Sequence, residues 1–147
     1  MKRIVAITLA LAAIAALPAT LALAHGSPAK VFLHQTKLGM ILVNSRGFTI
    51  YAFTADKLKK DKCVSIAPQC LTVWPPVTTT GKPVAGPGVK QSLLGTIKLG
   101  RKTQVTYAGH PLYTYIADTR PAETAFVNIL QFKGRWPALN AAGQEVK

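Results

Sequence analysis

After the N-terminal segment, short runs rich in apolar, β-branched and aromatic residues flank turn residues, and this pattern predicts β-strands. Two strand pairs surround turn residues: MILV at 40–43 and FTIYAF at 48–53 flank Asn44-Ser45-Arg46-Gly47, and TQVTY at 103–107 and PLYTYIA at 111–117 flank Ala108-Gly109. Both pairs are typical of hairpins in which glycine takes a positive φ. Further strand candidates are Val31–Thr36 and Leu93–Leu99, while 81–88 has the glycines and prolines of a connecting loop. No amphipathic run of helical length follows the N-terminal segment, so the pattern predicts a nearly all-β protein.

The chain contains one pattern twice, at a constant offset of 62 residues. The phrase IYAFTAD at 50–56 recurs as LYTYIAD at 112–118, and WPPVTTTGKPV at 74–84 aligns with WPALNAAGQEV at 136–146 without a gap. Matching pairs include Val43 and Val105, Gly47 and Gly109, Tyr51 and Tyr113, Phe53 and Tyr115, Asp56 and Asp118, and Trp74 and Trp136. The duplication predicts two pseudo-symmetric hairpin-containing repeats, about 38–84 and 100–146, packed around a pseudo-twofold axis as one small sandwich or partly closed barrel.

The first 24 residues have the features of a signal peptide. Met1-Lys2-Arg3 is a short basic start, residues 4–17 are apolar, and Ala22-Leu23-Ala24 predicts cleavage before His25. An uncut membrane anchor is the alternative, because the apolar region continues almost to the cleavage site. Cleavage would leave residues 25–147 as a single β domain. Since no cysteine precedes Cys63 to accept a lipid, we expect a periplasmic or secreted protein without a transmembrane segment after cleavage.

The chain is strongly basic, with 18 Lys and Arg against 5 Asp and Glu and a formal net charge of +13. Outside the cytoplasm, this excess favours anionic envelope polymers or lipid head groups as partners over nucleic acid. A general solubility charge is the alternative. Two basic runs lie at strand connections, namely Lys57, Lys59, Lys60 and Lys62 after the first motif and Lys98, Arg101 and Lys102 before the second hairpin. If the fold brings the two runs together, they would form a basic rim. The sequence does not indicate the oligomeric state.

The duplicated aromatic and acidic residues have a structural and a functional interpretation. On a strand, Tyr51 and Phe53 share one face, so their rings are expected in the core. Asp56 and Asp118 end their strands and are expected to accept backbone N–H bonds in Asx-type turns. In the functional interpretation, the two aspartates converge on the axis with Tyr51 and Tyr113 as a ligand-binding site, as metal ligands or as an acid and base pair. Because one active site needs its residues only once, the duplication favours the structural interpretation.

Cys63 and Cys70 are the only cysteines of the chain. An oxidising compartment favours a disulfide between them, and the six intervening residues form a loop that can close. A metal site or redox couple is the alternative, which the absence of a C-x-x-C spacing disfavours. The second repeat has Ala125 and Phe132 at the equivalent positions, where apolar packing is expected to replace the disulfide.

His25, His34 and His110 are the candidate metal ligands. After cleavage, the amine and imidazole of His25 could chelate Cu(II), with His34 or His110 as a further nitrogen ligand. The alternative is that His25 lies in a disordered tail, since Gly-Ser-Pro follows it. His110 aligns with Phe48, which weakens a catalytic role for this histidine. We therefore expect no cofactor, with copper as the alternative.

The two motifs Tyr51-x-Phe53-x-x-Asp56 and Tyr113-x-Tyr115-x-x-Asp118 resemble those of a known family. The chain is similar to the bacterial secreted-repeat proteins, often predicted lipoproteins, which have a Y-x-[FWY]-x-x-D motif. The resemblance extends to Cys63, Cys70, Trp74-Pro75-Pro76, AGPGVKQSLLGTIK at 85–98 and TQVTYAGHPLY at 103–113. It implies the fold and export but no defined activity. Two departures are the missing lipidation cysteine and FVNILQFKGR at 126–135, which replaces a Gly-rich run common in the family.

Three classes of function follow from these observations. An exported, non-catalytic envelope or extracellular binding module of undefined ligand is the first choice, because the sequence shows no nucleophile with a base, phosphate loop or metal-spaced cluster. A periplasmic copper-handling protein is the alternative. An enzyme acting on a glycan comes third and requires Asp56 and Asp118 to face an open cleft. The sequence therefore leans towards a protein without enzymatic activity.

Overall fold

The structure, a computed structural model, describes residues 26–146. The expected signal peptide, its uncut-anchor alternative and His25 lie outside these residues. Within residues 26–146, no helix has the length and apolar character needed to cross a membrane.

Short strands are the main regular secondary structure of the described residues. In chain order the elements are β1 Lys30–Thr36, β2 Gly39–Asn44, α1 Cys63–Ile66, α2 Cys70–Val73, β3 Val84–Ala85, a 3₁₀ turn Gln91–Leu93, β4 Leu94–Leu99, β5 Lys102–Tyr107, β6 His110–Pro111, β7 Leu130–Gln131, β8 Gly134–Arg135, β9 Ala138–Leu139 and β10 Glu145–Val146. The prediction of an all-β protein is confirmed, since the two α-helices have only four residues each.

Two antiparallel hairpins form the framework of the fold. β1 pairs with β2 along its length, with Val31 opposite Asn44, and β4 pairs in the same way with β5. A short third strand completes each sheet, giving the orders β2-β1-β3 and β4-β5-β6, with β3 parallel to β1. The strands expected at 31–36 and 93–99 are both present.

A tight turn follows each framework hairpin at an equivalent glycine. Gly47 has a φ of 82° and Gly109 a φ of 83°. A side chain strains the backbone in this left-handed conformation, which is why glycine occupies both positions. The expectation that each turn needs a glycine with positive φ is confirmed.

The segments after these turns are less regular than the continuous strands that the sequence predicts. Thr49 bridges to Val43, whereas Tyr51 bridges to both Tyr113 and Ala138. Because neighbouring residues pair with different partners, these segments are extended without forming a long ladder. Only His110–Pro111 of the second segment belongs to a strand.

The two repeats meet at Tyr51 and Tyr113. The backbone N–H of each tyrosine donates to the carbonyl oxygen of the other, with both distances 2.9 Å. Reciprocal pairing of equivalent residues is the signature of a twofold relationship. The prediction of two pseudo-symmetric repeats is therefore confirmed, and their sheets remain separate, open sheets.

Three buried clusters hold the sheets and repeats together in the described residues, and two of them are large. One includes Val31 and Leu42 of the first sheet and Val105 and Tyr107 of the second, all with no exposed surface. The other, which we call the aromatic cluster, consists of Tyr51, Phe53, Cys63, Cys70, Trp74, Tyr113 and Trp136. Since both repeats contribute to each cluster, neither repeat buries its apolar residues alone.

A disulfide joins Cys63 and Cys70, as the sequence predicts. It links α1 to α2, and both cysteines are fully buried in the aromatic cluster. The disulfide thus closes a loop within the connecting segment of the first repeat, and this segment packs onto the core.

Candidate functional site

Four aromatic rings from alternate repeats form a continuous stack through the aromatic cluster. The order is Phe53, Trp136, Trp74 and Tyr115, with successive ring centroids 4.1, 3.9 and 4.1 Å apart. The two indoles at its centre are nearly parallel, at 3°. Tyr51 and Tyr113 meet the indoles edge-on, at 5.2 and 5.1 Å. These rings therefore belong to the interface between the repeats and form no exposed binding platform.

Both indole N–H groups donate to one residue that the sequence analysis does not single out. Nε1 of Trp74 lies 2.8 Å from Oε1 of Gln131, and Nε1 of Trp136 lies 3.1 Å from the Gln131 backbone oxygen. Gln131 aligns with Gln69 at the same offset of 62, which is the signal that could have identified it. Buried indoles need such acceptors, so Gln131 completes the stack.

The duplicated tyrosines and aspartates pair across the repeats. The Tyr51 hydroxyl lies 3.1 Å from both carboxylate oxygens of Asp118, and the Tyr113 hydroxyl donates to Oδ2 of Asp56 at 2.8 Å. Asp56 also accepts the backbone N–H of Lys62 through Oδ1, at 2.6 Å. The expected backbone bond is therefore present at Asp56, while the tyrosine partners are a feature that the sequence analysis does not anticipate. Each repeat supplies the phenol for the carboxylate of the other.

Burial makes both carboxylates harder to ionise than usual. Desolvation raises the pKa of Asp56 to about 7 and that of Asp118 to about 6, against the opposing effect of their hydrogen bonds. Asp61 adds to the shift of Asp56, and its own Oδ2 is buried without a hydrogen-bond partner among the described residues. Burial and the neighbouring carboxylates also raise the pKa of Tyr51 and Tyr113. The tyrosines therefore remain neutral donors to the aspartates.

The lysine loop, residues 57–62, is ordered by its backbone while most of its side chains face solvent. Lys57 and Lys60 pair with each other through their backbones, and the N–H of Lys59 donates to Gly109 at 2.7 Å. The side chains of Lys57, Lys59 and Lys60 are exposed, and Lys62 is half-buried. The loop therefore holds several cations in place on the surface.

The candidate metal ligands do not form a cluster within residues 26–146. His34 is exposed in β1 opposite Ile41, and His110 is half-buried in β6 opposite Tyr107. In this part of the chain, no group of three or more His, Cys, Asp or Glu side chains is placed to hold a metal ion. The described geometry gives copper no ready-made site.

A site that the sequence indicates only through its basic run, Lys98, Arg101 and Lys102, lies at the β4–β5 turn. The hydroxyl-lined cavity, about 560 Å³, is bordered by Ser27, Thr78, Thr79, Thr80, Thr103, Arg101 and Lys102. Arg101 and Lys102 also border the apolar groove, about 430 Å³, whose other residues are Val64, Leu71, Pro76, Leu99 and Gly100. The available signal was the Thr78-Thr79-Thr80 run, which the second repeat replaces by Asn140-Ala141-Ala142.

A family model matches two segments of the chain, residues 33–78 and 97–140. The chain belongs to a family described as a secreted repeat of unknown function. Comparisons with curated proteins and with solved structures found no match. Both matched segments of the secreted repeat begin inside a framework strand, β1 or β4, and end at the equivalent residues Thr78 and Asn140. The family resemblance seen in the sequence is confirmed, and it defines no activity.

Proposed function

We propose that this secreted repeat protein is an exported, non-catalytic binding module that associates with anionic components of the cell envelope. The proposal includes cleavage before His25 and release to the periplasm or the exterior without a lipid anchor. The family description as a secreted repeat supports export. The binding role rests on a contrast: the duplicated Tyr and Asp residues bond to each other inside the protein, while the unduplicated lysines are mostly exposed.

The hydrogen bonds of the duplicated tyrosines and aspartates explain why these residues occur in both repeats. Asp118 is 8% exposed and holds the Tyr51 hydroxyl, while Asp56 holds the Tyr113 hydroxyl and a backbone N–H. A general acid or base must reach a substrate, and these carboxylates face partners inside the protein instead. This geometry supports a role without catalysis.

The lysine loop has no counterpart in the second repeat. Positions 57–62 align with Thr119-Arg120-Pro121-Ala122-Glu123-Thr124, which contain a single cation. The fold therefore does not require a lysine-rich sequence here. Because the loop backbone is already hydrogen-bonded, an anionic polymer would bind it without first ordering it, which lowers the entropic cost of association.

Salt-dependent retention on a heparin-like or lipopolysaccharide matrix tests this proposal. The test variant changes Lys57, Lys59, Lys60 and Lys62 to Gln, and the matched control changes the exposed Lys30, Lys37, Lys82 and Lys90 to Gln. Both lose the same charge, so a dedicated site predicts elution of the test variant at clearly lower salt than the control. Equal elution of the two variants would leave only a general charge effect.

Two other functions have less support and remain separate proposals. Copper handling depends on His25, with His34 or His110 as a further ligand, and metal analysis of the mature protein with a His25→Ala control would test it. A glycan-cleaving enzyme using Asp56 and Asp118 would need both carboxylates to reach a sugar, although each is bonded to a tyrosine. Loss of hydrolysis in Asp118→Asn, with stability retained, would favour that function.

A further inference from the structure

The fold builds the same cavity twice and gives the two copies different chemistry. At the β4–β5 turn, Arg101 and Lys102 face Thr78–Thr80 across the hydroxyl-lined cavity. At the β1–β2 turn, the equivalent residues Gly39 and Met40 face Asn140–Ala142 across a cavity of about 470 Å³. We call the second one the equivalent cavity. It also includes a carboxylate, Glu145, which the hydroxyl-lined cavity lacks.

Comparison of the two cavities shows which residues the fold needs and which occur only in the hydroxyl-lined cavity. Since the equivalent cavity forms without cations, the turn does not need them to pack. The hydroxyls of Thr79 and Thr80, by contrast, also bond to the backbone of Gly26, Ala29 and Gly81. Guanidinium, ammonium and hydroxyl groups together match the oxygens of a phosphate. A third cation is close by, because Nζ of Lys98 lies 3.3 Å from the Thr103 hydroxyl. The hydroxyl-lined cavity is therefore suited to a phosphorylated, hydroxyl-bearing group.

The apolar groove shares the same two cations with the hydroxyl-lined cavity. Val64 on α1 is 52% exposed there, and Leu71, Pro76 and Leu99 complete its apolar lining. The positions equivalent to Leu71 and Leu99 in the other repeat are Lys133 and Lys37, so this apolar surface also occurs once. An exposed apolar surface beside two exposed cations matches a ligand with an alkyl chain attached to an anion.

We propose that this site binds an anionic lipid, with its phosphate between Arg101 and Lys102, its alkyl chain in the apolar groove and its headgroup hydroxyls in the hydroxyl-lined cavity. The inference rests on the proposed function as a binding module but uses residues distinct from the lysine loop. Charge complementarity identifies the occupant, since neither cavity wall includes Asp or Glu.

Calorimetric titration with dodecyl phosphate monomers tests the cationic part of the site. Arg101→Gln with Lys102→Gln should weaken binding by about tenfold or more, whereas the charge-matched control Lys37→Gln with Lys90→Gln should change it by less than about twofold. Inorganic phosphate should bind far more weakly than dodecyl phosphate. Equal weakening in both double variants, equal affinity for inorganic phosphate, or no binding of dodecyl phosphate would overturn the proposal.

The apolar part is tested with a second matched pair and with membranes. Val64→Ser should weaken dodecyl phosphate binding by about fivefold, while Met40→Ser, at a similarly exposed position beside the equivalent cavity, should have no effect. Vesicles of phosphatidylcholine with phosphatidylglycerol should sediment the protein, and vesicles of phosphatidylcholine alone should not. Equal effects of the two serine variants, or sedimentation with both vesicles, would contradict the lipid site.

The two proposals can fail independently. If the lysine-loop variant behaves as its control on polyanion matrices while Arg101→Gln with Lys102→Gln abolishes lipid binding, the lipid site stands and the polymer surface falls. The reverse result would retain the polymer surface and reject the lipid site.

Discussion

The connecting segments of the two repeats are held in place by different interactions. In the first repeat, the Cys63–Cys70 disulfide fixes α1 and α2 onto the aromatic cluster. In the second, Glu123 accepts the backbone N–H groups of Thr124 and Ala125 at 3.1 and 3.2 Å and pairs with Arg120 at 2.8 Å. These bonds, the largest contribution being that of Ala125, lower the pKa of Glu123.

The expected apolar replacement for the disulfide is present only at one of its two positions. Phe132 packs against the aromatic cluster, whereas Ala125 is exposed. The residues of the interface are therefore the same in both repeats because both repeats need them, whereas the connecting segments differ in sequence and in how they are held. Residues that differ between the repeats are therefore the best candidates for function. They include the lysine loop and the residues that line the hydroxyl-lined cavity and the apolar groove.

Removing either central indole of the interface should lower the stability of the protein by a similar amount, and this is the largest effect we expect. Trp74→Ala and Trp136→Ala each remove a fully buried indole from the centre of the stack, at a cost of about 3–5 kcal/mol in the free energy of unfolding. Urea denaturation of the two variants measures these costs. A loss confined to one of them would show that the stack is not a joint element of both repeats.

Loss of the disulfide, which has no equivalent in the second repeat, should have the next largest effect on stability. Cys63→Ser with Cys70→Ser should lower the free energy of unfolding by about 2–3 kcal/mol, because the closed loop no longer restricts the unfolded chain. Reduction of the unaltered protein should give the same loss in denaturation. Mass spectrometry without reductant provides the direct check, and two free thiols in freshly isolated protein would contradict the bond.

The crossed Tyr–Asp pairs should give the smallest effect and a distinct pH dependence. Asp56→Ala and Asp118→Ala should each cost about 1–3 kcal/mol, since each leaves a buried phenol without its acceptor. Both aspartates have a folded-state pKa above the unfolded value of about 3.9, so the folded protein binds more protons between these values. Their contribution to stability is therefore complete below about pH 4 and lost as pH rises through about 6 to 7.

A matched variant separates this titration from other groups. Asp56→Asn with Asp118→Asn keeps an acceptor for each tyrosine but removes the proton, so it should flatten the decline in stability between about pH 4 and pH 7. Glu123, with its lowered pKa, acts in the opposite sense and only at more acidic pH. Denaturation midpoints measured across this range decide the matter, and an unchanged slope in the double variant would refute the assignment.

Features that depend on residues close in the chain, or on the constant offset, could be predicted from the sequence alone. Short runs rich in apolar and β-branched residues, bounded by turn residues, predicted β1, β4 and β5. Gly47 and Gly109 marked turns through their allowed backbone conformations. The single cysteine pair left one possible intramolecular disulfide, and the offset of 62 identified two repeats before any contact was known.

Which repeat each duplicated residue contacts became known only from the folded structure. A tyrosine in either repeat could pair with the aspartate of its own copy or of the other, and sequence offers no distance by which to choose. The same holds for the site at Arg101, whose lining comes from residues 27, 78–80 and 101–103. Those segments meet because the repeats pack about their pseudo-twofold axis, and packing of distant segments depends on the free energy of the whole chain rather than on any local pattern.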